Sequence, residues 1–275
     1  MDKRLLTIQD ISCVGQCSLT VALPVISACG IETAILPSSV LSNHTGGFSG
    51  WTFTDLTQDM PKILDRWLKE NISFDAFYTG YVSKTQIPYI LEIMEKSARK
   101  GALKIVDPVM ADNGKLYAGF DEDFPNEMKK LCKGADVILP NLTEAAFLLG
   151  IPYVGGGYSK EYIEKICKNL HALGAKNVVL TGVSFEPSKL GTAVYDGKEV
   201  QYYFAEKQPV NAHGTGDIFA SVVAGSLLRG KSLLEASSLA ADFVVESLKQ
   251  TAGDKDHWYG VKFEKAFPYL IKRLS

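Results

Sequence analysis

Short apolar, β-branched runs recur along the first two-thirds of the chain: RLLTIQ (4–9), TAILPSSVL (33–41), FDAFYTG (74–80), LKIVDPV (103–109), ADVILP (135–140) and NVVLTGV (177–183). Stretches with helical spacing separate them, among them TQIPYILEIMEKSARKGA (85–102) and KEYIEKICKNLHALGA (160–175). Apolar runs of strand length that show little alternation fit strands buried on both faces, and their regular exchange with helices predicts a mainly parallel sheet covered on both sides. The segment GTAVYDGKEVQYYFAE (191–206) then predicts a β-hairpin, with Asp196-Gly197 as a two-residue turn signal. Helical patterns occupy the remainder.

Polar residues fall at informative places on this pattern. Asp107 ends the run LKIVD, and Pro108 prevents its regular continuation. Pro140 ends ADVILP just before Asn141 and Glu144, and Thr181 closes VVLT. All three sites fall at the carboxyl ends of predicted parallel strands, where open α/β sheets bind ligands. Asn141 and Glu144 also stand at capping-box spacing ahead of the helical AAFLL, with Gly150 as its stop, so Glu144 has a structural reading beside a chemical one. An aspartate such as Asp107, closing a buried strand, needs a partner, and a cation or its bound water would serve.

The stretch NAHGTGDIFASVVAG (211–225) places Gly214, Thr215 and Gly216 directly before Asp217 and an apolar helix. One reading is a tight turn into a helix whose dipole favours Asp217. The other is an anion hole, in which bare amides approach a phosphate while a carboxylate accepts a proton nearby.

Composition narrows the classes. The 275 residues can bury a substantial core, and no linker, charge block or repeat divides them; the glycine cluster YVGGGYSK (153–160) is too short to separate domains. A single domain over 1–275 is therefore expected. Lys plus Arg number 29 against 31 Asp plus Glu, a net charge of −2 with the signs interspersed, which argues against nucleic acid or an anionic membrane as partner. The amino terminus lacks the pattern of a signal or transit peptide, and no apolar run is long enough to span a membrane. Five scattered cysteines without C-x-x-C spacing read as reduced thiols, the pattern expected of a cytoplasmic protein. The four histidines show no short metal spacing, GGFSGW misses the register of a hydrolase elbow, and no Walker-type phosphate loop occurs.

Taken in order, SNHTGG (42–47), DPVMADNG (107–114), PNLTEA (140–145) and GTGD (214–217) resemble the pyridoxal kinases of the ribokinase-like superfamily. The likeness begins at TIQDISCVGQ (7–16) and covers most of the chain. It implies a three-layer α/β/α fold and ATP-dependent phosphorylation of the hydroxymethyl group of pyridoxal, pyridoxine or pyridoxamine. In such an enzyme Asp217 would be the catalytic base, with the amides of Gly214, Thr215 and Gly216 around the transferred phosphoryl group. Asp107, Asp112 and Glu144 would deal with Mg2+ and the ATP phosphates, with Asp107 and Glu144 on the metal largely through water. Asn141, Thr181 and Tyr117 would contact the nucleotide or its cations, a monovalent ion such as K+ being a further candidate. Ser12 and Thr45 would hold the polar groups of the pyridine ring, with Tyr81 beside it. The resemblance also implies a homodimer. Cys13 departs from the pattern, because many relatives carry a histidine directly after the serine of this first loop. Two alternatives stay open: the related hydroxymethylpyrimidine kinases, which share DPVM and a similar anion hole, and a vitamin-binding protein without turnover.

Overall fold

The computed structural model describes residues 2–209 and 212–275, so Asn211 of the glycine-rich stretch lies outside the described residues. The strands are β1 (Arg4–Ser12), β2 (Glu32–Leu41), β3 (Phe53–Asp55), β4 (Phe74–Thr79), β5 (Ala98–Val106), β6 (Ala111–Asp112), β7 (Lys115–Leu116), β8 (Val137–Ile138), β9 (Asn177–Val183), β10 (Lys189–Tyr195) and β11 (Val200–Glu206). Nine of them form one sheet in the order β11-β10-β9-β8-β5-β4-β1-β2-β3, and β6 and β7 pair apart from it. The centre of the sheet, from β9 to β2, is parallel, and antiparallel pairs occur only towards its two edges.

The helices are α1 (Leu19–Ala28), α2 (Met60–Lys69), α3 (Ile87–Lys96), α4 (Phe124–Cys132), α5 (Leu142–Leu149), α6 (Lys160–Ala172), α7 (Thr215–Leu228), α8 (Leu233–Thr251) and α9 (Phe267–Leu274). Successive strand residues point to opposite faces, and the core divides accordingly. Leu6, Phe77, Val106, Ile138 and Val178 pack with α2 to α6 on one face. Leu5, Ala76, Ile105, Val137 and Val179 pack with α1, α7, α8 and α9 on the other. This is the three-layer α/β/α arrangement expected from the strand–helix alternation. α7 is apolar around most of its circumference and lies between α1 and α8, as a helix without a solvent face must.

The winding of the chain positions the site. From β1 it passes through α1 to β2 on one side, then crosses back to β4 and continues through β5, β8 and β9 on the other. The direction reverses beside β1, and a crevice opens there at the carboxyl ends of the strands.

Three local expectations are corrected. The helix expected over 85–102 ends at Lys96: the Ser97 hydroxyl donates to the Ile93 carbonyl at 2.6 Å, and Ala98 already pairs with Phe74. The hairpin turn spans four residues rather than two, because Tyr195 pairs with Val200 and the Asp196 carboxylate accepts from the amides of Lys198 and Glu199. Thr181 does not close its strand. The strand continues to Val183 past a register shift against β10, where Gly182 has a φ of +76°.

Candidate active site

The start of α7 shows what the two glycines of GTGD do. Gly214 caps the helix with a φ of +82°, and a Cβ there would lie 1.9 Å from the Gln16 carbonyl oxygen, so backbone geometry alone demands glycine. Gly216 differs. Its φ is unremarkable, and among the described residues a Cβ would meet no atom within 4 Å. No neighbour among the described residues requires glycine at 216, which suits a position approached by a ligand. The amides of the first helical turn have no acceptors within the helix, so those of Thr215 and Gly216 lie beside this open space as donors for an anion.

Asp217 is the third residue of that helix and lines the cavity half-buried. Burial raises its pKa to about 7, the charge of Asp10 adds to the rise, and the Ser18 backbone amide opposes it. Ser18 itself adopts a φ of +49°, sparsely populated for a residue with a side chain. The Ser221 hydroxyl donates to the Asp217 carbonyl oxygen at 2.6 Å and ties the base to the next turn.

Glu144 fulfils both of its sequence readings at once. It completes the capping box of α5: the Asn141 side chain accepts from the Glu144 amide at 2.9 Å, while Glu144 Oε2 accepts from the Asn141 amide at 2.8 Å. Its other oxygen accepts from the Met110 amide at 3.1 Å, which fastens the loop after β5 to the start of α5. Asn141 Nδ2 adds a bond to the Ala111 carbonyl at 2.9 Å. Asp107, only 7% exposed, stands at the cavity wall, and among the described residues no donor is bonded to its carboxylate. Burial raises the pKa of Asp107, and the charges of Glu144 and Asp217 raise it further. Glu144 is also raised, by burial above all.

This acidic pair fits a hard cation. Two buried carboxylates repel one another, and one of them lacks any donor. Among the described residues no group of three or more His, Cys, Asp or Glu could ligate a metal directly. A magnesium ion at this place would therefore take most of its oxygens from water and phosphate, which is its usual habit.

The opposite end of the crevice is built from β1, β2 and the loop after β4. Ser12 is buried and its hydroxyl donates to Asp10 at 3.3 Å. Thr45 lies exposed in the loop after β2, whose shape is held by Asn43 bonds to the His44 and Gly50 carbonyls; the Thr45 hydroxyl makes no bond among the described residues. Tyr81 packs its ring against Phe120 at 5.1 Å.

One cavity of about 740 Å3 collects every residue expected from the sequence: Ser12, Thr45, Tyr81, Asp107, Asp112, Tyr117, Asn141, Glu144, Thr181, Gly214, Thr215, Gly216 and Asp217. It also contains residues that the sequence reading passed over. His44 and His213 face each other with ring centroids 4.9 Å apart, each directly before a quoted motif residue, Thr45 and Gly214. Asp10 ends the apolar run of β1 as Asp107 ends that of β5, a parallel that could have drawn notice. Leu190, Phe219, Val244, Val245 and Leu248 supply an apolar wall, invisible in sequence because it combines β10 with α7 and α8.

The phosphomethylpyrimidine kinase family model matches residues 23–260. A structure from Bacteroides thetaiotaomicron VPI-5482, assigned as a phosphomethylpyrimidine kinase and solved with pyridoxal, is 37% identical, with a TM-score of 0.92 over 98% of this chain and 96% of that one. The pyridoxal kinase of Lactobacillus plantarum is 35% identical, with a TM-score of 0.90 over 98% and 97%. The pyridoxal kinase of Dictyostelium discoideum is 29% identical over 83% of this chain and 80% of its own. The open amides ahead of a half-buried carboxylate, the acidic pair of the cavity wall and these likenesses agree: the chain is a phosphotransferase and belongs to the phosphomethylpyrimidine kinase family.

Proposed function

We propose that the protein transfers the γ-phosphoryl group of ATP to the 5'-hydroxymethyl group of pyridoxal, pyridoxine or pyridoxamine, with the whole chain acting as one kinase domain. The observation that carries this reading is the junction of Gly216 and Asp217, an open backbone cradle one residue from a carboxylate whose pKa lies near neutrality. The likeness to the two proteins named above, one solved with pyridoxal and one a pyridoxal kinase, supports the vitamer as acceptor.

The acceptor hydroxyl lies against Asp217, which takes its proton as the new P–O bond forms and the bond from the γ-phosphorus to the bridging oxygen breaks, releasing ADP. Phosphoryl transfer passes through a loose transition state, so placing the groups in line and neutralising charge matter more than a strong base. The amides of Gly214, Thr215 and Gly216 receive the phosphoryl oxygens, aided by the positive end of α7. Asp107 and Glu144 would hold magnesium, largely through water, and the ion's contribution when bound is to neutralise phosphate charge. Asp112, Tyr117, Asn141 and Thr181 border the nucleotide and its cations, including a monovalent ion such as K+, and the apolar wall of Val244 and Leu248 receives the base. Ser12, Thr45 and Tyr81 border the vitamer. A homodimer and a cytoplasmic location belong to the same reading, supported by the family resemblance and by five free cysteines. No helix among the described residues is long and apolar enough to cross a membrane.

ADP release measured with pyridoxal, pyridoxine, pyridoxamine and hydroxymethylpyrimidine tests the reading. Turnover of at least one vitamer, with kcat/KM above that for hydroxymethylpyrimidine, is the expected result. Turnover of hydroxymethylpyrimidine alone would replace it by the second reading, which the name of the matching family favours. Vitamer binding without ADP release would leave a binding protein.

A further inference from the structure

Asp10 is a carboxylate without a charge partner. It lies near the carboxyl end of β1, is 5% exposed and lines the cavity where the winding of the sheet reverses. The Ser12 hydroxyl donates to it at 3.3 Å, burial raises its pKa against the opposing pull of the Ser18 and Ser12 hydroxyls and its own backbone amide, and among the described residues no Lys, Arg or His forms an ion pair with it. An ionised carboxylate held this deep needs a cationic donor to offset its desolvation, and neutral donors alone supply little. The wall of the binding cavity is where a ligand can bring that donor.

We propose that Asp10 binds the protonated ring nitrogen of the pyridine substrate, so that the pocket selects the pyridinium form. This rests on the vitamer being the acceptor. The reacting hydroxymethyl group must reach Asp217, and Asp10 and Asp217 line the same cavity with Ser18 between their elements, near enough that the charge of Asp10 raises the Asp217 pKa. In the vitamers one ring carbon separates the nitrogen from the carbon bearing that hydroxymethyl group. Of the other ring substituents, the phenolic oxygen would as phenolate be repelled by the two carboxylates, whereas a pyridinium N–H is attracted by both. Ser12, whose hydroxyl donates to Asp10, is on this account a positioning residue that aims the carboxylate.

The test pairs Asp10→Asn with pyridoxine and with its analogue carrying CH in place of the ring nitrogen. Asn keeps the shape and removes the charge. For pyridoxine, kcat/KM should fall about 10- to 100-fold, the range for a lost charge-assisted hydrogen bond, with the change chiefly in KM and the KM for ATP unmoved. The analogue, a poor substrate of the wild type, should lose little further. Ultraviolet absorption of bound pyridoxine supplies an independent readout: the wild type should hold the nitrogen-protonated form and the variant the neutral one. Equal losses for pyridoxine and analogue would assign Asp10 a structural role and overturn the proposal. An unchanged kcat/KM for pyridoxine, or a neutral ring bound to the wild type, would overturn it as well. Failure of the wild type to phosphorylate any vitamer would instead sink the functional reading on which it rests.

Discussion

Replacing Asp217 by Asn should make the enzyme nearly inactive and the fold more stable. The side chain keeps its shape and a carbonyl oxygen that can accept, but it can no longer take a proton. General-base contributions are typically ~10²–10⁴-fold, so kcat should fall by that factor while the KM values for ATP and acceptor stay within a few-fold. The stability effect follows from the same burial. The folded pKa is about 7 against an ordinary 3.8, so the folded state holds the proton more tightly than the unfolded chain. A group raised in this way costs nothing below pH 3.8, and its cost grows until the pH passes 7. At 1.36 kcal/mol per pKa unit the ceiling at pH 8 is ~4 kcal/mol, and at pH 5 it is ~2 kcal/mol. For a chain of this length the difference corresponds to several degrees of melting temperature. Melting curves of wild type and variant without ligands, at pH 5 and pH 8, together with ADP-release kinetics, supply the check. In the wild type kcat/KM should rise with pH through about 7, and this acid limb should vanish in the residual activity of the variant. A variant with near-wild-type kcat would remove Asp217 from the chemistry. A variant that melts lower than the wild type at pH 8 would refute the burial argument.

Gly216→Ala should leave the melting temperature within about a degree, because its Cβ meets no atom of the described residues, yet lower kcat/KM for ATP at least tenfold by obstructing phosphate. Gly214→Ala should unfold at distinctly lower temperature, since its Cβ would strike the Gln16 carbonyl and its φ disfavours any side chain. Glu144→Gln leaves either the Met110 or the Asn141 amide without an acceptor, a loss of ~1–3 kcal/mol visible in the melting curve, and it should raise the magnesium concentration needed for half-maximal activity; an unchanged magnesium titration would confine Glu144 to fastening the loop. Thr45→Val should lower kcat/KM for the preferred vitamer about tenfold without changing the KM for ATP, and equal losses for all substrates with a lowered melting temperature would remove Thr45 from the substrate site.

Most of the architecture was legible because buried parallel strands have a plain signature. Runs such as LKIV and NVVL admit few other readings, and the polar residues that end them mark the ligand side of the sheet. Sequence was weakest where one residue serves two ends. Glu144 reads as a cap or as a carboxylate for chemistry, and only the bond from the Met110 amide shows that its cap also shapes the loop after Asp107. The helix end at Lys96 was hidden because alanine, arginine and lysine favour helix, while pairing of Ala98 with Phe74 overrides that preference. His44 and His213 are 169 residues apart and become neighbours only when the loop after β2 meets the start of α7. The same holds for the apolar wall from β10 and α8.

The reversal of winding beside β1 divides the cavity between two parts of the chain. Asp10, Ser12, Thr45 and Tyr81 at one end all precede residue 82, whereas Asp107, Asn141, Glu144 and Thr181 at the other all follow residue 106, and Asp217 enters between them from the far layer. No residue is shared, and the strand termini of the two ends meet where β4 pairs with β5 and the Asp107 amide donates to the Thr79 carbonyl at 2.9 Å, a backbone contact that substitution of side chains at the first end preserves. Exchange of the segment before residue 82 between members of this family is accordingly the most economical way to trade one ring-bearing alcohol for another while the phosphoryl-handling half is inherited whole.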